Sequence, residues 1–246
     1  MTTEPPHPVP GITVTLPSVD LPAGVCHFVA TPIGNMGDMG LRALAVIAAA
    51  DVLYAEDTRH TRRLLDRYGI SVPMAAYHDH NKARAVPQIV ARVAAGEKVV
   101  VVSDAGMPCI NDPGFTLVRG LQEADLGWTV IPGPSSTLAA LVLSGFYPDR
   151  FLFVGYPPRK KGQRAKFLTE ALAERGTVLA LESCHRIRST LEILADLAPE
   201  RELAVCREIT KLHEETLRGN AATLLERLTG PRLRGELVLL MRGNSS

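Results

Sequence analysis

Four consecutive valines at positions 99–102 constrain the fold of this chain more than any other feature of the sequence. A short run of β-branched residues bounded by turn signals is typical of a strand buried on both faces, as in a parallel sheet covered by helices. The run continues into a loop rich in glycine, proline and aspartate, residues 103–114. Ligands of open α/β sheets bind outside the carboxyl ends of the strands, so this loop is a candidate binding site. The alternative is a polar turn that binds nothing.

Two further strands in the first half of the chain end in a similar way. Residues 24–31 predict a strand followed by a glycine-containing loop, and residues 128–131 predict a strand followed by a Gly/Pro turn and two serines. The first of these loops matches neither GxGxxG nor GxxxxGK[ST], which disfavours a Rossmann dinucleotide site and a P-loop. Alternating strands and helices across residues 24–145 predict a mostly parallel sheet. The three loops then share one edge of the sheet, where a common ligand is expected.

Charged residues cluster after another predicted strand, residues 51–55. Two acids, Glu56 and Asp57, and three arginines occur within residues 56–63. They can form ion pairs with one another or contact a charged substrate. Asp57 is also a suitable N-cap for the helix that follows, which is the structural alternative.

The second half of the chain predicts another α/β unit, over residues 146–246, after a short linker. Although the net charge of the whole chain is +1, Lys and Arg outnumber Asp and Glu by 17 to 13 from Phe146 onward, against 10 to 13 before it. Five of these basic residues occur within residues 159–166. Clustered basic residues fit an anionic partner such as a nucleic acid, and a solvated loop is the alternative.

Other features of the sequence exclude several classes of protein. Residues 1–23 are proline-rich and predict a flexible extension. The N-terminus lacks the pattern of a signal peptide and no apolar run is long enough to span a bilayer, so we expect a cytoplasmic protein that does not enter membranes. The four cysteines lack a CxxC spacing, and His78 and His80 have no third ligand nearby in the sequence. We therefore expect neither a disulfide framework nor a metal site.

Six motifs together resemble the tetrapyrrole-methylase superfamily of S-adenosylmethionine-dependent enzymes. They are ATPIGNMGD, AEDTRHTRRLL, VSDAGMPCINDPG and IPGPSS in the first half, and ESCHR and REITKLHEE in the second. More narrowly, they are similar to the branch that 2′-O-methylates a cytidine in the decoding region of 16S ribosomal RNA. The resemblance covers about residues 24–243. The chain departs from the usual pattern at Cys184, where proline is more common, and at Met107, where threonine is.

This resemblance implies a fold, a cofactor and an oligomeric state. The fold is that of a class III methyltransferase, with two α/β domains, residues 24–145 and 146–246, and S-adenosylmethionine in the cleft between them. A homodimer is also implied. The positions that the motifs assign to the cofactor are Pro32, Gly34, Asp104, Ala105, Gly106, Pro108, Ser135 and Ser136. The Asp104 carboxylate is expected near the ammonium group or the ribose hydroxyls of the cofactor, where it can accept charge-assisted hydrogen bonds.

The implied reaction is in-line attack of a ribose 2′-oxygen on the sulfonium methyl group, so the enzyme aligns the reactants and removes a proton. Candidate proton acceptors or orienting groups are Asp57, Glu56, Glu182, His185 and Glu208. Candidate phosphate contacts to 16S rRNA or the small ribosomal subunit are Arg59, Arg62, Arg159, Lys160, Lys161, Arg186 and Lys211. For each of these the alternative is a solvated charge or an ion pair within the protein.

Two other functions remain open from the sequence. A methyltransferase acting on a small molecule such as a tetrapyrrole precursor needs a large apolar or aromatic cavity, whereas aromatic residues make up only 5% of this chain. A non-catalytic RNA-binding assembly factor has no need of the cofactor-type loops, which are present.

Overall fold

The chain divides into two compact units, with the division between Pro134 and Ser135. A computed structural model describes residues 15–112 and 114–244. The first unit contains strands β1 (Val25–Val29), β2 (Val52–Ala55), β3 (Met74–Ala76), β4 (Val99–Val102) and β5 (Gly127–Ile131), and helices α1 (Leu41–Ala48), α2 (Thr58–Arg67), α3 (Lys82–Ala94) and α4 (Gly114–Glu123). The second contains α5 (Ser136–Ser144), β6 (Phe151–Phe153), α6 (Lys161–Leu172), β7 (Thr177–Ser183), α7 (Ile187–Leu197), β8 (Leu203–Arg207), β9 (Glu215–Gly219), α8 (Ala221–Arg227) and β10 (Glu236–Met241).

The first unit is a parallel five-stranded sheet with helices on both faces. The strand order is β3-β2-β4-β1-β5, so the valine strand β4 is central, and every pairing is parallel. Val100 and Val102 pack in the apolar cluster that includes α1 and α2. Val99 and Val101 pack in the cluster that includes α3 and α4. Because side chains alternate between the faces of a strand, both faces of β4 are buried, as the run of four valines predicts.

The second unit has a mixed sheet in the order β6-β7-β10-β8-β9. β6 and β7 are parallel, and β10 runs antiparallel to both of its neighbours, β7 and β8. The sequence does not predict β9, which pairs antiparallel with β8 at the edge of the sheet. Of the five residues of β9 only Leu217 is buried, so the strand lacks the alternating apolar pattern that would identify it.

Helix α5 belongs to the second unit, whereas the domain boundary expected from the sequence places it in the first. The division lies at Pro134–Ser135 rather than at Gly145–Phe146. The helix packs against β8, β9 and β10, and the Cys206 Sγ lies 3.7 Å from the Ala140 carbonyl oxygen. Ser135 caps this helix, its Oγ accepting the Leu138 N–H at 3.4 Å, as two serines before an apolar run predict.

The N-terminal segment is only partly a flexible extension in the sense that the sequence predicts. Residues 1–14 lie outside the described part, so that portion of the prediction stays a prediction. Leu21 is buried in the core of the first unit, where Val19 packs beside it. Within residues 15–112 and 114–244, none of the helices combines the length and the apolar character that crossing a bilayer requires.

Candidate functional site

Three loops of the first unit meet at the carboxyl edge of its sheet. Thr31, after β1, exchanges two backbone hydrogen bonds of 3.0 Å with Gly106, after β4, and its hydroxyl donates to the Ser103 carbonyl. Gly106 adopts φ +80°, and a Cβ there would lie 3.3 Å from the Ile33 side chain and 3.6 Å from the Pro134 carbonyl oxygen. Glycine is thus needed for both conformation and space. The loops after β1, β4 and β5 come together as the sequence predicts.

Asp104 lies in this cluster of loops with one carboxylate oxygen free. Its Oδ1 accepts the backbone N–H of Asp57 at 2.8 Å, which joins the loop after β4 to the loop after β2. The other oxygen has no hydrogen-bond partner among the described residues. The carboxylate is half-buried and oriented by a backbone donor, and it can still accept a hydrogen bond from a bound molecule.

The other positions that the motifs assign to the cofactor differ in accessibility. Gly34 and Ala105 are exposed, Pro32 is half-buried, and Gly106 and Pro108 are buried. Gly106 is part of the Thr31–Gly106 pairing, and the other four flank it along the chain. The first unit thus brings the β1 and β4 loops together. Ser135 and Ser136 belong to the second unit, in which Ser135 caps α5.

Two further carboxylates, Glu56 and Asp112, lie beside this loop cluster. Both line a small cavity together with Tyr77, Ser103 and Cys109. Burial, followed by the charge of Glu56, raises the pKa of Asp112 to about 6. Burial and the charge of Asp104 likewise raise the pKa of Glu56. The Asp112 Oδ2 is buried and has no hydrogen-bond partner in the described part of the chain.

Asp112, which lines this cavity, is not among the candidate residues from the sequence. The signal for it in the sequence is its position in the same loop as Asp104, eight residues further along. The aspartate–proline–glycine run was more simply explained as turn chemistry.

Asp57 is the N-cap of α2, which is the structural alternative left open by the sequence. Its Oδ1 accepts the backbone N–H groups of Arg59 and His60, at 2.8 and 3.4 Å, and its Oδ2 lies 3.3 Å from the Arg59 guanidinium. The hydrogen bonds from Arg59 lower the pKa of Asp57. Arg62 is exposed and has no partner among the described residues. Of these two arginines, only Arg62 is therefore free to contact a phosphate.

In the second unit, Glu182 is the centre of a buried hydrogen-bond network. Its side chain is fully buried at the end of β7, one residue inside the strand. The carboxylate contacts the Arg186 guanidinium at 2.6 Å, the Thr190 hydroxyl at 2.6 Å and the Ser183 backbone N–H at 2.8 Å. Both oxygens are thus satisfied, which is the environment of a structural ion pair.

Arg186 connects this network to the basic loop that precedes α6. Its Nη1 donates to the Pro157 carbonyl oxygen at 3.0 Å. Further along, Arg164 is buried and donates to the Ser189 hydroxyl at 2.9 Å. The remaining basic residues of the loop, Arg159, Lys160 and Lys161, are exposed and have no partner in the described ranges. The loop thus presents three free cations, and Arg186 helps to hold it.

Glu208 and Lys211 form an ion pair in the turn after β8. The Lys211 Nζ lies 3.1 Å from the Glu208 carboxylate and 3.2 Å from that of Glu236. Glu208 also accepts the backbone N–H of Glu236 at 3.0 Å. Glu208 and Thr210 adopt φ values of +50° and +66°, a conformation that costs free energy for residues other than glycine. This turn is therefore rigidly held.

His185, like Glu56 but unlike Asp57, Glu182 and Glu208, is a candidate proton acceptor whose side chain makes no hydrogen bond to the described residues. Its side chain is exposed and has no hydrogen-bond partner among the residues that the structure describes. Only its backbone N–H is used, donating to the Ser183 hydroxyl at 3.3 Å. Across the described ranges, no three His, Cys, Asp or Glu side chains are grouped so that they could hold a metal ion.

Comparison with known proteins connects these loops to a family. Residues 25–225 match the family described as tetrapyrrole (corrin/porphyrin) methylases. The chain is 40% identical to "Ribosomal RNA small subunit methyltransferase I" of Synechocystis sp. over 89% of its length and 79% of that protein. It is 42% identical to the protein of the same name from Xylella fastidiosa, over 89% of the chain and 82% of that protein.

A solved structure shows the same fold. The uroporphyrin-III-C-methyltransferase of Thermus thermophilus superposes with a TM-score of 0.63 at 21% identity, covering 89% of this chain and 94% of that one. At that level of identity the likeness concerns the fold, two α/β units of the class III methyltransferase type.

Proposed function

Because the chain belongs to the tetrapyrrole (corrin/porphyrin) methylase family and is an S-adenosylmethionine-dependent methyltransferase, we propose that its substrate is 16S ribosomal RNA. The proposed reaction is 2′-O-methylation of a cytidine in the decoding region. The supporting observation is the 40–42% identity, over 89% of the chain, to two proteins named as small-subunit ribosomal RNA methyltransferases.

The residues of the first unit fit the methyl donor. S-adenosylmethionine supplies a methyl group on a sulfonium centre, together with an ammonium group and ribose hydroxyls that donate hydrogen bonds. The free oxygen of Asp104 is an oriented acceptor for such donors. Pro32, Gly34, Ala105, Gly106 and Pro108 complete the proposed cofactor positions, with Ser135 and Ser136 from the second unit.

The protein's chemical task is to align the ribose hydroxyl and to accept its proton. Five residues are candidates. Asp57 caps α2, Glu182 is buried and fully bonded, and Glu208 is held by Lys211 and Glu236. Two of the five, His185 and Glu56, have side chains without a hydrogen-bond partner in the described part of the chain, and of these two only His185 is exposed. An imidazole is the most common general base near neutral pH, so we assign the proton transfer to His185.

The RNA is proposed to contact the free cations of the second unit. Arg159, Lys160 and Lys161 stand at the N-terminus of α6, where backbone N–H groups also favour an anion. Arg62 of the first unit is a further free cation, whereas Arg59, Arg186 and Lys211 form ion pairs within the protein. Phosphate contacts of this kind position RNA without reading its sequence.

Methyl transfer to isolated small subunits tests this proposal. The protein is incubated with labelled S-adenosylmethionine and small ribosomal subunits from cells that lack it, and in parallel with tetrapyrrole precursors. Label at a cytidine 2′-oxygen of the decoding region is the expected result. Label in the tetrapyrrole precursor alone would contradict the RNA substrate, and label on another ribose would contradict the position.

The protein is also proposed to act as a homodimer in the cytoplasm, where ribosomes assemble. The edge strand β5 exposes Trp128 and Val130, each about two-fifths accessible (41% and 42%). Apolar residues on an open edge strand are usually covered by a partner. Sedimentation equilibrium should give the mass of two chains, and Trp128→Glu should give the mass of one. A single-chain mass for the unaltered protein would contradict the dimer.

A further inference from the structure

A pocket of about 550 Å³ opens at the edge of the second sheet opposite to the turns that contain Arg186 and Lys211. Its lining residues are Tyr147, Arg150, Arg175, Gly176, Thr177, Arg242, Gly243 and Asn244. β7 begins at this pocket and ends at the Glu182 network. The pocket therefore lies ~20 Å from that network, the length of a seven-residue strand. The volume is within the range of small-molecule pockets.

The pocket is formed where three chain segments meet. Arg150 precedes β6, Arg175 precedes β7, and Arg242 follows β10; β6 and β7 are parallel, and β10 runs antiparallel to β7. The Thr177 N–H donates to the Arg150 carbonyl oxygen at 3.0 Å. A Cβ on Gly243 would lie 2.2 Å from the Arg175 carbonyl oxygen, so only glycine allows this approach.

The segments are also held by side chains. Arg201 donates from Nη1 to the Arg242 carbonyl oxygen at 2.7 Å and from Nη2 to the Leu172 carbonyl oxygen at 3.1 Å. The Asn244 backbone N–H donates to the Glu174 carbonyl oxygen at 3.0 Å. The backbone around the pocket is thus fixed before any ligand binds, which reduces the entropy cost of binding.

Among the described residues that line the pocket, every ionisable side chain apart from the Tyr147 phenol is an arginine. Arg242 pairs with Glu202, which does not line the pocket. Arg150 and Arg175 are exposed and have no ion-pair or hydrogen-bond partner for their guanidinium groups among the described residues. Two unpaired guanidinium groups at one pocket match the charge and the bidentate geometry of a phosphate.

Tyr147 adds an aromatic surface next to the two arginines. Its side chain is 67% exposed, while its backbone is fixed by the Thr177 hydroxyl, which donates to the Tyr147 carbonyl oxygen at 2.9 Å. Its hydroxyl donates to Asp149 at 2.7 Å. Aromatic rings beside cations are the usual platform for bases of single-stranded nucleic acids.

We propose that this pocket binds one nucleotide of single-stranded RNA, with the phosphate at Arg150 and Arg175 and the base against Tyr147. The proposal deepens the proposed function and rests on it for the identity of the RNA. It assigns the substrate a second contact, at the opposite edge of the sheet from His185 and the basic loop before α6. A free nucleotide offers the same phosphate and base, so the test must separate the two sources.

RNA binding to the full-length protein tests the pocket without any methyl transfer. We expect the double substitution Arg150→Ala and Arg175→Ala to weaken binding of a labelled single-stranded RNA about tenfold, measured by fluorescence anisotropy. The slope of log Kd against log salt concentration should fall by about one. The control, Arg42→Ala with Arg84→Ala, removes two exposed arginines without partners in the described part of the first unit and should change neither quantity.

Substitution of Tyr147 distinguishes the contribution of base stacking to RNA affinity from that of the phosphate charge. Tyr147→Leu should weaken RNA binding about tenfold but leave the salt slope unchanged, because stacking involves no counterions. Equal affinities of the double variant, the control and the unaltered protein would overturn the proposal. Tight binding of cytidine monophosphate at this pocket with no loss of RNA affinity in the double variant would overturn RNA as the source.

The outcomes also distinguish this proposal from the proposed function. If small subunits are methylated while the double variant binds RNA normally, the pocket proposal is wrong and the function stands. If the arginine variant loses RNA binding but no ribosomal RNA is methylated, the pocket binds RNA and the proposed function is wrong.

Discussion

The carboxylate of Asp104 accepts the backbone N–H of Asp57 at 2.8 Å, and this contact joins the loops after the two adjacent strands β2 and β4. Asp57 in turn caps α2. Asp104 thus orients the neighbouring loop with one carboxylate oxygen. Its other carboxylate oxygen has no partner among the described residues and can accept a hydrogen bond from a bound molecule. Substitutions of Asp104 can separate these two tasks.

We expect Asp104→Ala to weaken S-adenosylmethionine binding at least tenfold, because a charge-assisted hydrogen bond contributes about 1.5–3 kcal/mol. Asp104→Asn keeps an oxygen that can accept the Asp57 N–H but lacks the charge. It should therefore retain the thermal stability of the unaltered protein and still bind the cofactor more weakly. Calorimetric titration measures the affinity. Unchanged affinity in both variants would show that the cofactor lies elsewhere.

The Glu182–Arg186 pair should contribute to stability rather than to chemistry. Arg186→Ala leaves a fully buried carboxylate with only the Thr190 hydroxyl and the Ser183 N–H as partners. Removing one partner of a buried ion pair costs about 3 kcal/mol or more. Urea unfolding should show this loss. The matched control Arg159→Ala removes an exposed arginine without a partner among the described residues, and it should leave the free energy of unfolding nearly unchanged.

A catalytic Glu182 would give a different result. Glu182→Gln would then abolish turnover even under conditions in which the variant remains fully folded. A loss of activity that merely follows the loss of folded protein supports the structural role.

Much of the first unit could be predicted from the sequence, for physical reasons. The four valines of β4 are buried on both faces, so their burial is visible as an uninterrupted apolar run. The loops after β1 and β4 are rich in glycine and proline because their backbones approach closely. Gly106 combines a positive φ with a close approach to its neighbours, and glycine suits both. The family, and the fold class and cofactor that the resemblance of the six motifs implies, are confirmed by the comparisons.

The second unit was less predictable because its polar residues allow several partners. A glutamate before an arginine has the same pattern whether it is a proton acceptor or, as Glu182 is, a buried partner of an ion pair. The apolar pattern of α5 likewise does not indicate whether the helix packs on the sheet of the first unit or on that of the second, where it lies. β9 was missed because an edge strand with one buried residue, Leu217, has no period to detect.

The raised pKa of Asp112 predicts a pH dependence of stability. The folded protein holds the Asp112 proton up to about pH 6, above the usual range of an unfolded aspartate. The resulting stabilisation is fully present below the unfolded pKa and is lost as the pH rises through about 6. Asp112→Asn should therefore raise the free energy of unfolding at pH 7.5, by ~1 kcal/mol after allowance for solvent screening.

Urea unfolding at pH 4.5 and 7.5 provides the measurement. Asp66→Asn, which changes an exposed aspartate without a partner in the described part of the first unit, should behave like the unaltered protein at both pH values. Equal stability of Asp112→Asn and the unaltered protein at pH 7.5 would contradict the raised pKa.

The free imidazole of His185 gives the last prediction. His185→Gln keeps a polar side chain of similar length but cannot accept a proton, so turnover with small subunits should fall about 10²-fold, the usual loss on removing a general base. S-adenosylmethionine affinity and the free energy of unfolding should not change, because the side chain has no structural partner among the described residues. A loss of turnover of only a few fold would assign the proton transfer to another group, with the Glu56 and Asp112 carboxylates as the next to substitute.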